Sequence, residues 1–132
     1  MLFEINNLEI EFNIIGEILG MGGPVIGKLK INSKFLEGEY LQQPFVFDED
    51  KKYLFLVKFN DAKMMNDVNF SLMLINIQQF EVLVYRHNFN FLYIESVSKD
   101  KMTIFKAFHN KNESFKIVIP FYINDFIKIG DM

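Results

Sequence analysis

The feature that most constrains the fold of this chain is an alternation of apolar and polar residues with a period of two. Between residues 8 and 14 every second residue is apolar, and glutamate or asparagine stands between them. The same period recurs in residues 25–31, where Lys28 and Lys30 separate apolar neighbours. Successive side chains of a β-strand point to opposite faces, so this pattern predicts strands with one buried and one solvated face.

Further apolar segments predict the rest of the sheet. They cover residues 44–47, 53–59, 68–77, 80–85, 91–97, 102–108 and 115–119, with 121–129 favoured as a strand over a short helix. Turn-forming residues separate them, and the connections are too short for parallel crossovers. Residues 60–67 could hold one helical turn. We therefore predict a single all-β domain over residues 1–132. Its strands form an antiparallel meander folded into a sandwich or barrel of about nine or ten short strands, with at most one short helix.

Composition narrows the classes of function. The net charge is −3 and Arg86 is the single arginine, which disfavours a nucleic-acid partner. The chain has no cysteine, so disulfides and thiolate metal sites are excluded. No stretch is long and apolar enough to predict a membrane span. The first residues lack the basic and then apolar plan of a signal peptide, so we expect a cytoplasmic protein.

A glycine-rich segment resembles a phosphate-binding loop in part. Gly22, Gly27 and Lys28 match the spacing GxxxxGK, but Leu29 stands where serine or threonine should hold magnesium. The residues that follow alternate as in a strand, whereas such a loop should open a helix. A glycine-rich turn is therefore the preferred interpretation, and a recognition loop containing Gly22 and Gly23 is the alternative.

Residues for catalysis or metal binding are sparse. His87 and His109 both lie beside predicted turns, with no further ligands close in sequence. No serine sits in a nucleophile elbow, and carboxylate pairs such as Glu9 with Glu11 arise on any solvated strand face. We therefore predict no enzyme activity, no cofactor and no metal site.

Charge is distributed unevenly, and this gives the most useful indication of function. The first 50 residues contain nine acidic residues and three lysines, whereas the balance reverses in the remainder. An acidic face can recognise a cationic protein quickly and specifically. The candidate partner-binding residues are Glu9, Glu11, Glu37, Glu39, Tyr40, Phe89, Gly22 and Gly23, with Tyr40 and Phe89 as aromatic anchors and Phe89 in a predicted turn.

In size, acidity, lack of cysteine and lack of catalytic motifs, the whole chain resembles the immunity proteins of bacterial polymorphic-toxin and contact-dependent inhibition systems. The resemblance implies a cytoplasmic inhibitor that occludes one cognate toxin domain. Two alternatives remain open. One is a small-ligand-binding barrel or sandwich, with Phe and Met residues lining an apolar cavity. The other is a structural protein that assembles through a large apolar interface.

Overall fold

The computed structural model describes residues 1–18, 24–60, 69–106 and 116–132. Within these ranges the chain forms twelve β-strands and one 3-10 turn, with no α-helix. The strands are β1 (Leu2–Ile5), β2 (Leu8–Glu17), β3 (Val25–Ile31), β4 (Lys34–Leu41), β5 (Val46–Phe47), β6 (Tyr53–Asn60), β7 (Asn69–Asn76), β8 (Glu81–Phe89), β9 (Tyr93–Val97), β10 (Lys101–Phe105), β11 (Lys116–Pro120) and β12 (Phe126–Asp131). The predicted all-β class is confirmed, with more strands than expected.

Two antiparallel sheets contain these strands. The larger has nine strands in the order β1-β2-β3-β4-β6-β7-β8-β12, and β5 pairs with β6 beside this path. The smaller has three strands in the order β11-β10-β9. The predicted meander is therefore kept from β1 to β8. It is interrupted by the small sheet before β12 returns to pair with β8.

The large sheet folds back on itself between β4 and β6, which share only two register pairs. Side chains from β2, β3 and β4 consequently face those from β6, β7 and β8 and form one buried cluster, the inner core. Phe12, Leu29 and Tyr40 lie on one side of it, and Leu56 and Met73 on the other. Their exposed fractions of 5% or less show that the two halves close on each other.

The opposite face of β6 and β7 is also buried, because the small sheet packs on it. Phe55, Val57 and Leu72 contact Ile94 and Ile104 in this second core. Alternate residues of β6 and β7 thus serve different cores, which explains why both strands are apolar on both faces. The predicted double coverage of residues 68–77 is confirmed for Asn69–Asn76.

Two tight hairpins organise the first four strands. Asn6 and Asn7 connect β1 to β2, and Asn32 and Ser33 connect β3 to β4. All four residues have positive φ, between 49° and 68°. Two successive positive φ values produce the twist that two-residue hairpins need, and asparagine tolerates that backbone.

Several predicted boundaries were wrong. Strands β1 and β4 were not predicted, and β8 continues through residues 87–89, which we expected to form a turn. Residues 121–129 contain both a 3-10 turn at Ile123–Asp125 and the start of β12, so neither single interpretation holds. The possible helix at residues 60–67 lies, except for residue 60, outside the described residues.

Candidate protein-binding face

The four predicted acidic residues lie on one face of the molecule. Glu9 and Glu11 alternate along β2 with Leu8, Ile10 and Phe12, which point into the inner core. Strands β2 and β4 flank β3 on opposite sides. The sheet therefore brings together glutamates that are nearly 30 residues apart in the sequence.

On β4, Glu37 and Glu39 alternate in the same way with the buried residues Leu36 and Tyr40. They therefore also face away from the inner core. Glu39 is opposite Phe59, whose side chain belongs to the second core, on the reverse side of the sheet. This register places Glu39 on the outer surface of β1–β4, as alternation with buried residues does for Glu9, Glu11 and Glu37.

Cross-strand register adds Leu2, Glu4 and Phe35, which sequence reasoning did not single out as partner-binding residues. Glu4 pairs with Glu9, and Leu2 pairs with Glu11. Glu11 pairs with Lys30, which in turn pairs with Phe35. We define the acidic face as the outer surface of β1–β4 carrying Leu2, Glu4, Glu9, Glu11, Lys28, Lys30, Phe35, Glu37 and Glu39.

Two large apolar side chains stand exposed on this face. Phe35 is 69% exposed and Leu2 is 65% exposed. They occupy the two ends of one cross-strand row, with Glu11 and Lys30 between them. Each offers apolar area that a protein partner would desolvate on binding, and the Glu11–Lys30 pair lies between them.

Lys30 is engaged within the face. Its ammonium lies 3.7 Å from a Glu11 carboxylate oxygen and 4.5 Å from the centre of the Phe35 ring. Both ion-pair partners are about one-third exposed, so solvent screens the attraction and the pair adds little to stability. Lys30 neutralises one of the five glutamates, and its contact with the exposed Phe35 ring links the charged and apolar residues of this row.

Tyr40 is not exposed on this face. Its side chain is 1% exposed within the inner core, and its hydroxyl donates a hydrogen bond of 2.6 Å to the Glu37 carbonyl oxygen. Burial raises the pKa of the Tyr40 phenol far above its usual range, and the negative charge of Glu37 adds to this effect. Tyr40 supports the backbone beneath the glutamates, and its burial excludes it as a surface anchor.

The remaining predicted residues lie elsewhere. Phe89 belongs to β8, opposite Phe70, and is half-buried with its ring stacked 6.0 Å from that of Tyr85. The prediction that it occupies a turn was wrong, and β8 is not among the strands of the acidic face. Gly22 and Gly23 lie outside the described residues.

A sequence signal for the missed residues did exist. Asn6-Asn7 is a two-residue hairpin signal that would have paired the first residues of the chain with β2 and placed Leu2 and Glu4 beside Glu11 and Glu9. Asn32-Ser33 would likewise have placed Phe35 beside Lys30. The two hairpin loops fix which residues of neighbouring strands pair. They therefore predict more residues of the acidic face than the charge composition does.

Other chemistry finds little support in the described part of the chain. No group of three or more His, Asp or Glu side chains there is arranged to hold a metal ion. Lys28 lies within β3, so the glycine-rich segment does not open a helix at that point. Among the same residues, no helix has the length and apolarity needed to cross a bilayer.

Comparison of the chain with protein-family models, with curated proteins and with solved structures finds no match.

Proposed function

We propose that this protein is a protein-binding inhibitor of the immunity type, acting in the cytoplasm by covering the functional surface of a cationic toxin domain. The observation that carries the proposal is the acidic face, where five glutamates and two exposed apolar side chains share one surface with two lysines. A clustered charge of one sign steers a partner of the opposite sign and gives fast, specific association.

The two kinds of residue on the face have different roles in the proposal. Leu2 and Phe35 provide apolar area that becomes desolvated on binding, as anchor residues do in tight complexes. The surrounding glutamates select a basic partner and reject an acidic one. Such an inhibitor needs no catalytic group, because occlusion alone prevents the substrate from reaching the toxin.

The proposal is tested with the polypeptide encoded next to this gene, purified as an inactive variant, by surface plasmon resonance, which measures association and dissociation rates separately. The double variant Glu9→Lys/Glu37→Lys reverses two exposed charges on the face without touching the Glu11–Lys30 pair. We expect binding at low salt to weaken by at least about tenfold, mostly through slower association. Phe35→Ala should weaken binding by a similar factor, through faster dissociation.

Glu49→Lys/Asp50→Lys is the matched control. It reverses two exposed charges at the tip between β5 and β6, away from the acidic face, and changes the net charge equally. The control should bind like the wild type. Failure of the wild-type protein to bind, or equal effects of the two double variants, would contradict the proposal.

A further inference from the structure

A pocket at one end of the inner core is the feature that the proposed function does not use. Its volume is about 380 Å³, and its lining is mostly apolar. This volume lies within the range of roughly 300–1,000 Å³ typical of small-molecule sites. The core itself is filled, since its central residues are buried to 5% exposure or less. The pocket is thus a space at the end of a packed interior.

The strands place aromatic and aliphatic groups around this space. Phe12 of β2, Leu29 of β3 and Leu56 of β6 are buried and form the floor. Phe3 and Phe45 form a half-buried wall, with their rings 5.3 Å apart in an edge-to-face arrangement. This pair is held between β1 and the segment before β5, so the wall joins two parts of the chain that are distant in sequence.

The rim determines how a ligand would enter. Gln42 and Pro44 are exposed and lie on the segment between β4 and β5. No described residue that lines the pocket has a charged side chain, but the Met1 α-ammonium lies there and donates a hydrogen bond of 3.0 Å to the Phe12 carbonyl oxygen. A carboxylate or phosphate group inside it would lose its hydration, and the ammonium that could offset this cost is already bonded to the Phe12 carbonyl oxygen, so binding of an anion is unfavourable.

We infer that this pocket binds an uncharged, largely apolar small molecule, independently of the acidic face. Lining and volume both fit a ligand of this class, such as a long-chain alcohol or an uncharged aromatic compound. Burial of its surface against Phe12, Leu29 and Phe45 provides the favourable free energy, and the side-chain amide of Gln42 at the rim can bond to a terminal hydroxyl.

The first measurement uses the uncharged fluorescent probe N-phenyl-1-naphthylamine with the full chain. We expect saturable binding with one probe per protein, displaced by 1-decanol and at least about tenfold less effectively by decanoate. Equal displacement by the two competitors would overturn the inference that the ligand is uncharged, because it would show that the Met1 ammonium compensates for the carboxylate charge.

Two variants locate the site, each with a matched control. Gln42→Trp places a bulky indole at the rim, whereas Gln78→Trp makes the same change at an exposed residue of the β7–β8 turn. Phe45→Ala removes one ring of the wall, whereas Phe35→Ala removes an exposed ring outside this pocket. We expect at least one pocket variant to weaken probe binding by about tenfold or more, with both controls unchanged.

Failure of this inference is distinguishable from failure of the proposed function. Absence of saturable binding, retention of full affinity by both pocket variants, or equal weakening in the controls would overturn the pocket. None of these results bears on the acidic face, since Phe35→Ala should weaken the protein complex and leave the probe bound. Phe45→Ala should weaken probe binding and leave the protein complex intact.

Discussion

Tyr40 shows how one buried residue supports the acidic face. Its hydroxyl satisfies the Glu37 carbonyl from below while the Glu37 side chain is exposed to solvent above. We expect Tyr40→Phe to lower the free energy of unfolding by about 1 kcal/mol near neutral pH, since the carbonyl loses its donor. Urea unfolding of both proteins measures this difference.

The same substitution has a pH dependence whose sign follows from the raised pKa of Tyr40. The unfolded chain releases this phenol proton at a pH of about 10, whereas the folded protein retains it to higher pH. The stability that Tyr40 contributes therefore falls above pH 10, by up to about 1.4 kcal/mol per pH unit. The difference between wild type and Tyr40→Phe should shrink accordingly. A constant difference from neutral pH to about pH 11 would contradict this account.

Gly27 is required by a close approach inside the β2–β3 pair. A Cβ atom at this position would lie 2.7 Å from Cζ of the Phe12 ring and closer still to the Asn13 carbonyl oxygen. Because the second contact is with backbone, rotation of a side chain cannot relieve it. We expect Gly27→Ala to destabilise the protein by about 1–3 kcal/mol.

Gly16 provides the control for this prediction. It is also paired across β2 and β3, but nothing lies within 4 Å of its ideal Cβ position. Gly16→Ala should therefore leave the thermal unfolding midpoint nearly unchanged. If both variants lost the same stability, the contact with Phe12 and Asn13 would not be the cause, because Gly16 has no such contact.

At the scale of elements, the Gln43 side chain caps the free edge of β9, where it forms hydrogen bonds that a neighbouring strand would otherwise provide. Its side-chain amide donates to the Ile94 carbonyl oxygen and its oxygen accepts from the Ile94 N–H, both at 3.3 Å. Ile94 is 1% exposed, so loss of these bonds would leave two buried backbone groups without partners. Gln43→Ala should cost about 1–3 kcal/mol and accelerate exchange of the Ile94 amide hydrogen.

The neighbouring Gln42 provides a matched control, since it is exposed and on the same segment. Gln42→Ala should alter neither stability nor Ile94 exchange by a measurable amount. If exchange at Ile94 were equally slow in wild type and Gln43→Ala, the two side-chain bonds would not be what protects this edge.

The elements also show which parts of the fold the sequence predicts and why others are missed. Strands with strict alternation, such as β3, were predicted to the residue because only one strand face needs to be buried. Strand β4 was missed because Gly38 stands on its buried face with a positive φ of 104°, where an apolar residue would complete the pattern. Strand β8 was truncated because residues 87–89, which we expected to form a turn, continue the strand, with His87 and Asn88 exposed.

The acidic face was also predictable only in part from the sequence. Alternation alone places Glu9 and Glu11 on one solvated face, and the structure agrees. Alternation does not give strand order, so the side-by-side placement of β2, β3 and β4 required the hairpin pairings. The burial of Tyr40 followed from its parity with Leu36, a relation that is visible only once β4 is recognised as a strand.

At the scale of the whole molecule, the two cores are joined through β6 and β7. Leu56 of β6 points into the inner core, and Leu72 of β7 points into the second core. The two residues are 5% and 0% exposed. If one core unfolded, β6 and β7 would expose the apolar side chains that pack in it and would no longer be held in place for the other core. The two cores should therefore unfold together.

Leu56→Ala and Leu72→Ala form a matched pair that tests this coupling. Each removes the same atoms from a different core and should cost about 2–5 kcal/mol. If the cores are coupled, each variant shifts one single urea transition, and far-ultraviolet and near-ultraviolet circular dichroism report the same midpoint. If instead the cores were independent units, each substitution would lower one transition and leave a second at the wild-type midpoint. The shared strands predict the first result, because the apolar register pairs between β6 and β7 place both side chains in the same core, as Leu56–Met73 does in the inner core and Val57–Leu72 in the second.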